Sequence, residues 1–565
     1  MKKLTALFKK KWVWVVLVIA ATIPTFTSLM RSGFFPMQDD LQAFRIYEMD
    51  KCFSDFQIPC RWVPDAGYKY GYPQFNYYPP SVYYLGEAFH KLGFQFIDST
   101  KIVFALGYIL SALTMFLLVS ELFGNFPGFV SGVLYTYAPY KAMEVYVRGA
   151  MSEFWSLVFY PLIFWAVYKL IKTLKKKYIA VLGISLALLL TTHLLMSMIF
   201  SLSAVVWTIY WLIKEKKVKE IGKVIAGVVL GICLAAFFVL PVIFEQKYAH
   251  TETMTMGYFG YLQHFVNVYK MFLSREWGFG SSGFPNEVLN LSTGIIQWIS
   301  GLITVGLAGI FFIKRKKKEY LLLTLVLGGL ELFTLFMMHA KSTFIWKLIP
   351  ILAWLQFPWR FLTVSIFLLA ILAGIGIYLI PKFKVWIGII VMVIAVVLTG
   401  SYFTPKSWLD INDTDHFSGV SWQKKLTISI FDYLPIYAKL PPITEAPNVP
   451  EVLDGVAVFS DYKKGSDYQV GDVVVLEDST IRLPLFDFPG MKVFANGTVV
   501  DHYNNDCRGQ EFCLGLITFK LPAGTYHLET RLTDTPIRII GNYLSLLGVA
   551  TTCYLLIKKD EKNSK

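Results

Sequence analysis

The sequence predicts an α-helical polytopic membrane protein with about twelve transmembrane helices and, near its C-terminus, a β-sandwich outside the membrane. Three observations support this fold class. Of the 565 residues, 55% are hydrophobic and only 16% charged, which excludes an ordinary soluble enzyme. Apolar runs of about 18–22 residues recur along the chain and end in Lys or Arg, as transmembrane helices do. Strand-like alternation is confined to the region after residue 450.

Twelve apolar runs predict the membrane spans. They lie near residues 12–30, 102–121, 128–140, 153–173, 178–194, 197–213, 222–243, 294–313, 320–338, 360–380, 385–402 and 540–557.

The net charge of +14 is placed at helix ends, which favours a membrane topology over nucleic-acid binding. With a cytoplasmic N-terminus, alternation through the twelve spans brings every basic cluster to the cytoplasmic side and leaves the C-terminus there too. The clusters are Lys9–Lys11, Lys175–Lys177, Lys214–Lys219, Lys314–Lys318, Lys382 with Lys384, and Lys558–Lys559. A multi-pass protein of the cytoplasmic membrane is predicted.

This topology divides the chain into three parts. Residues 1–403 form a transmembrane module whose first outer loop is 31–101. Residues 404–539 form an extracytoplasmic domain, rich in loops up to about Pro450 and then a small antiparallel sandwich. Residues 540–565 are a final transmembrane helix and a cytoplasmic tail. The outer domain carries 12 Lys and Arg against 18 Asp and Glu, so it is acidic, in contrast to the inner loops.

Four of the six cysteines fall in the predicted outer segments. Cys52 and Cys60 lie eight residues apart, and Cys507 and Cys513 six apart. Two local disulfides are predicted because that compartment is oxidising. Four free thiols are the alternative, and the absence of CxxC spacing disfavours zinc.

Adjacent carboxylates, Asp39 and Asp40, directly follow the first span and begin a predicted surface helix. One of them can cap that helix. Two acids side by side repel each other unless a cation or a proton relieves them. The pair is therefore a candidate general base, or a candidate ligand pair for Mg²⁺ or Mn²⁺.

An aromatic-rich stretch follows in the same loop, and it supplies candidate substrate-binding residues. Tyr and Trp favour the headgroup level of a bilayer, which explains most of these rings. Aromatic faces also bind sugar rings and prenyl chains. The candidates are Arg61, Tyr70, Tyr72 and Asn76.

Ionisable groups from separate loops lie at the outer ends of spans: Arg148, His193 and Arg360. Each has an ordinary explanation. Arg148 can pair with Glu144 or Glu153, His193 can turn a helical hairpin, and Arg360 can reach lipid phosphates. Because cations near the outer face are exceptions to the charge bias, they are also candidates for a clamp that, with Glu153, binds a substrate phosphate.

Acids, cations and aromatic rings with access to lipid fit sugar transfer from a polyprenyl-phosphate carrier. The phosphate leaves as charge develops on it, and a carboxylate takes the proton of the acceptor hydroxyl. The partners predicted are the bilayer, the lipid-linked donor and an extracytoplasmic glycan, lipid or protein acceptor, without nucleic acid. No glycine-rich nucleotide motif is present.

A resemblance agrees with this interpretation. The segments that carry it resemble the bacterial membrane family labelled "6-pyruvoyl-tetrahydropterin synthase-related", which is similar to the C-type glycosyltransferases. It implies a first outer loop with two surface helices and an acidic motif, and a role for Asp40 or Asp39 as base or metal ligand. The segments are Asp39-Asp40, Arg61–Asp65, Gly71–Pro80, Tyr146–Ala150, Thr192-His193, Gln356–Arg360 and Asp432–Pro435.

Two other functions fit the same residues. A transporter or flippase for lipid-linked glycans would use the outer cations for a phosphate and the carboxylates for protons. A non-catalytic assembly protein of the cell envelope would use the sandwich to bind polymer. The spans carry few acids other than Glu331, which weighs against transport.

Overall fold

The computed structural model describes residues 10–283, 287–314, 319–427 and 429–558. Its α-helices, numbered here in chain order, are α1 Lys11–Thr22, α2 Gln42–Ser54, α3 Gln74–Tyr77, α4 Ser81–Lys91, α5 Phe96–Phe123, α6 Asn125–Thr136, α7 Pro139–Met143, α8 Met151–Thr173, α9 Lys177–Thr192, α10 Leu194–Lys214, α11 Ile221–Leu234, α12 Ala236–Phe244, α13 Val268–Phe272, α14 Ile295–Ile313, α15 Glu319–Met338, α16 Thr343–Leu348, α17 Leu362–Leu379, α18 Lys384–Thr399, α19 Asp413–His416, α20 Gly419–Thr427 and α21 Pro536–Ile557.

Within these ranges, eight helical segments are long and apolar enough to cross a membrane. They are Phe96–Phe123, Met151–Thr173, Leu194–Lys214, Ile295–Ile313, Tyr320–Met338, Pro358–Leu379, Lys384–Tyr402 and Pro536–Ile557. A ninth crossing is bent by 75° between Val218–Leu234 and Ala236–Phe244, and two shorter apolar helices are Lys11–Thr25 and Lys177–Thr192. The predicted membrane fold is confirmed, but the count of twelve regular spans is not.

The predicted span 128–140 is not a regular helix in the structure. There the chain forms the 12-residue α6, the short α7 and a π-helical turn at Glu144–Arg148. Pro139 begins α7 and lacks the amide hydrogen that would continue α6. The three pieces together lead from the C-terminal end of α5 to Arg148, so this stretch is a broken helix and not one regular span.

The bent crossing is stabilised by the final helix α21. At the bend, the Phe237 amide donates to Ser545 Oγ (2.9 Å), and that hydroxyl donates to the Cys233 carbonyl (3.1 Å). A Cβ atom at Gly541 would lie 2.7 Å from the Ala236 carbonyl oxygen. The absence of a side chain at Gly541 therefore lets α21 approach the bend, where Ser545 satisfies the polar backbone that the break exposes.

The ends of α5, α8 and α10 that are remote from Arg148 meet in ion pairs. Lys169 contacts Glu121 (2.8 Å) and Lys172 contacts Glu215 (3.0 Å). The predicted basic face thus includes these helix ends. Residues 1–9, 315–318 and 559–565, which contain parts of three predicted basic clusters, lie outside the described residues, and the assignment of this face to the cytoplasm stays a prediction.

The C-terminal domain is one antiparallel sheet of seven strands: β1 Glu451–Lys464, β2 Tyr468–Phe486, β3 Met491–Ala495, β4 Thr498–Val500, β5 His502–Tyr503, β6 Leu516–Leu521 and β7 Gly524–Leu532. The order is β4-β3-β7-β2-β6-β5, with β1 on the other edge of β2. Along β2 the partner changes from β7 to β6 between residues 475 and 479. The two halves enclose one apolar core that includes Val473, Ile481, Val493 and Phe519, as predicted for a small sandwich.

The first outer loop joins the sheet to the membrane helices. Its aromatic stretch packs on the sheet, with Trp62 against Phe488 (ring centroids 5.5 Å apart) and Tyr70 against Phe486 (5.4 Å). Both predicted disulfides, Cys52–Cys60 and Cys507–Cys513, are present. The two predicted surface helices of this loop are α2 and α4.

Glu87 of α4 makes the packing of α4 on α2 sensitive to pH. Its side chain is buried beside Asp50, and Lys91 Nζ lies 3.4 Å away. Burial, and then the charge of Asp50, raise the pKa of Glu87 from 4.5 to about 7. A raised carboxyl pKa means that the folded state binds more protons than the unfolded state between these values, so this contribution to stability falls as the pH rises through that window.

We therefore expect Glu87→Gln to stabilise the protein by about 1–3 kcal/mol at pH 8 relative to the wild type, and to have little effect at pH 5. Thermal unfolding of both proteins at the two pH values measures the difference. Glu477→Gln, at an exposed position of β2, is the control and should change nothing. An equal effect of Glu87→Gln at both pH values would contradict this account.

Candidate active site

The acidic motif, defined here as Gln38, Asp39 and Asp40, pairs with the turn at the start of α8. The Gln38 amide donates to the Val147 carbonyl (3.0 Å) and the Asp39 amide to the Arg148 carbonyl (2.8 Å). The turn needs a glycine, because Gly149 has φ +66° and a Cβ atom there would lie 2.2 Å from the Met37 sulfur. The predicted acids and the predicted cation Arg148 are thereby held side by side.

The carboxylate of Asp39 is fixed by neighbouring side chains. It accepts hydrogen bonds from Gln42 Nε2 (2.7 Å) and Arg45 Nη1 (3.1 Å). Arg45 is 4% exposed, lies 4.1 Å from the ring centroid of Tyr78 and also donates to the Tyr83 hydroxyl (3.3 Å). Neither acid caps α2, whose N-cap residue is Leu41. Asp39 thus completes a buried ion pair that holds α2 against α4.

Asp40 is held less tightly. Its Oδ2 lies 3.4 Å from Lys425 Nζ, and 30% of its side chain is exposed. Burial raises the pKa of Asp40, and the charges of Lys425 and Lys424 oppose that shift. The Asp40 carboxylate is therefore more basic than a solvated one and remains accessible.

The arginine cluster, defined here as Glu144, Arg148, Glu153 and Arg360, lies next to the acidic motif. Arg148 Nη1 pairs with Glu144 (2.5 Å) and Glu153 (2.9 Å), and Arg360 Nε pairs with Glu153 (3.1 Å). Tyr140 donates to the other Glu153 oxygen (2.6 Å). The pairing of Arg148 with Glu144 and Glu153, which was one alternative predicted from the sequence, is thus present, and Arg360 shares Glu153, because buried charges need partners.

His193 borders this cluster at the junction of α9 and α10. The charges of Arg360, Glu153 and Arg148 all act on its imidazole. In the same region the Tyr160 hydroxyl connects α8 with α10 and α17, since it donates to the Met196 carbonyl (3.1 Å) and lies 3.4 Å from Thr363 Oγ1. Arg148, His193, Arg360 and Glu153, predicted from separate segments, are therefore brought together.

Several polar atoms in and around the cluster are buried and have no hydrogen-bond partner among the described residues. They include Thr192 Oγ1, His193 Nδ1, Trp359 Nε1 and Glu144 Oε2. The Arg148 guanidinium lies 4.6 Å from the Trp359 ring centroid, which places this indole at the cluster. An indole N–H is only a donor, so the site offers a hydrogen bond to an acceptor oxygen.

The other predicted substrate-binding residues lie elsewhere. Arg61 and Asn76 belong to a second buried network, in which Arg61 contacts the Phe237 carbonyl (3.0 Å) and Asn76 donates to Glu245 (3.0 Å), the partner of Arg538 (2.9 Å). This network ties the first outer loop to α12 and α21.

The side chains of Tyr70 and Tyr72 also make contacts within the protein. Tyr70 packs on the sheet, as described above. The Tyr72 hydroxyl donates to the Ser429 carbonyl (3.0 Å) and accepts from the Tyr433 amide (2.6 Å). Nothing in these positions supports the predicted role of Arg61, Asn76, Tyr70 and Tyr72 in binding substrate.

A divalent cation at Asp39 and Asp40 stays a prediction. Asp39 pairs with Arg45, and Asp40 with Lys425. In the described part of the chain, no group of three or more His, Cys, Asp or Glu residues could hold a metal ion.

Two contacts of this site were not predicted. Arg45 was detectable in principle, because it is a cation on the buried face of an amphipathic helix. Lys425 lies 385 residues from Asp40 in the sequence, and no local pattern connects them.

Comparison with known families identifies the chain. Residues 75–406 match the family described as "6-pyruvoyl-tetrahydropterin synthase related domain; membrane protein". The chain belongs to this family. The matched range contains the whole arginine cluster and His193 and begins after the acidic motif. No curated protein matches this member of the 6-pyruvoyl-tetrahydropterin synthase-related family.

Among solved structures, this family member is similar to the oligosaccharyltransferase of Archaeoglobus fulgidus (12% identity, TM-score 0.42, covering 72% of this chain and 56% of that one). It is also similar to the arabinofuranosyltransferase AftD from Mycobacteria (13%, 0.44, 72% and 28%). A third similar protein is ArnT from Cupriavidus metallidurans, solved with undecaprenyl phosphate (13%, 0.37, 68% and 63%). The chain thus spans less than two thirds of each. All TM-scores are below 0.5, so none of these likenesses extends to function.

Proposed function

We propose that this protein is a membrane glycosyltransferase, which moves a sugar from a polyprenyl-phosphate donor to a hydroxyl group of an acceptor at the extracytoplasmic face. The observation that carries the proposal is the contact between the acidic motif and the turn of Arg148, with the Asp39 amide 2.8 Å from the Arg148 carbonyl oxygen. It joins the backbone of the acidic motif to that of Arg148, whose guanidinium belongs to the arginine cluster at the start of α8.

The donor phosphate is assigned to the arginine cluster. Arg148 and Arg360 share Glu153, and a phosphate oxygen entering beside them replaces part of that pairing with charge-assisted hydrogen bonds. The unpartnered Trp359 Nε1 and Thr192 Oγ1 supply further donors. Because the cluster lies where α8 and α17 begin, a prenyl chain can stay in the bilayer while its headgroup reaches these groups.

Asp40 is the better candidate for the base. The two side chains are similarly half-buried, 33% and 30% exposed, but Asp39 is held by both Gln42 and Arg45, whereas Asp40 has one longer contact. In the proposed reaction the acceptor oxygen attacks the anomeric carbon, and the bond from that carbon to the phosphate oxygen breaks. The electron pair leaves with the lipid phosphate, and the hydroxyl proton goes to Asp40.

Binding of undecaprenyl phosphate to the purified protein in nanodiscs tests the donor site. We expect the wild type to bind it, and Arg360→Gln to weaken binding by about 10–100-fold through the loss of charge-assisted hydrogen bonds. Arg531→Gln, in the exposed part of β7, is the control. Equal binding of undecaprenol, which lacks the phosphate, would contradict the assignment.

Turnover of radiolabelled polyprenyl-phosphate-linked glucose, mannose and arabinofuranose, in membranes that contain the native acceptors, tests the reaction. We expect release of polyprenyl phosphate together with transfer of label from one of these donors. Movement of intact donor across proteoliposomes without release would favour a transporter instead. Binding of envelope polymer by the sheet, without either activity, would favour an assembly protein.

A further inference from the structure

A strap, defined here as residues 408–427, crosses from the last helix of the membrane module over the acidic motif. It is anchored at its start, where Leu409 and Phe34 exchange backbone hydrogen bonds (2.9 and 2.8 Å). Further on, the Asp413 carboxylate accepts from the amides of Phe96 (2.7 Å) and Ile97 (3.1 Å). An acid at this position satisfies free amides at the N-terminus of α5.

Aromatic packing then fixes the strap on α2. Phe417 stacks on Tyr47 with ring centroids 4.6 Å apart, and Trp422 packs against Phe44 at 5.7 Å. Contacts of this kind bury large apolar areas and favour one relative position of the two elements. Helix α20 is therefore held in a defined place above the start of α2.

This packing places the buried ammonium group of Lys425 next to the acidic motif. Lys425 is 3% exposed, its Nζ donates to Ser421 Oγ (2.9 Å), and it lies 3.4 Å from Asp40 Oδ2. The other charged or titratable groups that act on this pair are Asp39, Lys424 and His416. Burying a lysine ammonium group costs free energy unless the charge has a partner. The acid that Lys425 faces is Asp40.

We infer that Lys425 is a positioning residue for sugar transfer, which orients the Asp40 carboxylate through the strap. This inference rests on the proposed function and adds to it a contribution from the C-terminal domain. Its physical basis is that a base must be held within hydrogen-bond reach of the proton that it takes. The Lys425 ammonium fixes one oxygen of Asp40 and leaves the other for the acceptor hydroxyl.

The test compares Lys425→Met with Lys425→Arg in the turnover assay, with the donor that the wild type uses. We expect Lys425→Met to lower kcat at least tenfold with little change in donor KM or in undecaprenyl phosphate binding, since the arginine cluster is untouched. Lys425→Arg, which keeps the charge, should restore part of kcat. Lys492→Met removes the same charge from an exposed position of β3 and should retain wild-type kcat.

Unchanged kcat in Lys425→Met would overturn the inference, even if its thermal stability fell. If Lys425→Met does not fold, the Lys425→Arg variant decides. Because arginine shifts the position of the cation, wild-type kcat, KM and acceptor dependence in Lys425→Arg would also overturn the inference. An active Asp40→Asn variant would instead refute the base assigned in the proposed function, so the two failures are distinguishable.

Discussion

Asp40→Asn is expected to lower kcat for sugar transfer by about 10²–10⁴-fold, the usual contribution of a general base. The variant keeps the shape of the side chain and removes its capacity to take a proton. Undecaprenyl phosphate binding should persist, because the arginine cluster is unchanged. The measurement is label transfer from the donor that the wild type uses, with binding followed in parallel.

Asp410→Asn is the matched control, because this acid is exposed on the strap and its loss should leave kcat unchanged. Wild-type turnover by Asp40→Asn would remove Asp40 from the chemistry. Loss of turnover together with loss of lipid binding would instead indicate that the substitution disrupts the site as a whole.

Glu153→Gln is expected to lower the free energy of unfolding by about 3–5 kcal/mol, because it leaves Arg148 and Arg360 buried without their shared partner. The same change removes the carboxylate partner of Arg360 and one of the two carboxylate partners of Arg148, which leaves more of their charge for a ligand anion. Undecaprenyl phosphate should therefore raise the Tm of the variant by more than it raises the Tm of the wild type. Thermal unfolding with and without the lipid measures both effects.

Glu215→Gln provides the comparison, since its pair with Lys172 is half exposed on the opposite face and exposed pairs contribute about 0–1 kcal/mol. If the lipid stabilised Glu153→Gln no more than the wild type, Glu153 would not compete with a phosphate for the arginines.

Local patterns predicted much of the fold. The predicted surface helix at the acid pair is α2, and the predicted strands after residue 450 are present, with a turn between β3 and β4 at Asn496-Gly497, where both residues have positive φ (49° and 77°). Hydropathy did not reveal the break after α6 or the 75° bend at Ala235. The first break coincides with Pro139, and the bend is stabilised by the hydrogen bonds of Ser545 from another helix; hydropathy alone contains neither kind of information.

The sequence predicted which residues form the site better than it predicted which ion pairs they form. Charge type and position at span ends identified Arg148, His193 and Arg360 as a group. The pairing of Arg148 with Glu144 or Glu153 was also an alternative from the sequence, whereas the sharing of Glu153 with Arg360 is a property of the folded interior, where unpaired charges are too costly to keep. The contact of Asp40 with Lys425 depends on how the strap packs across α2, which only the tertiary fold determines.

The most direct test of the central claim is a cryo-EM structure of the protein with undecaprenyl phosphate. The account predicts phosphate density bounded by Arg148, Arg360 and His193, with the prenyl chain leaving between α8 and α17 into the bilayer and Asp40 facing the headgroup. Phosphate density at any other place, with the Glu153 ion pairs intact, would contradict it.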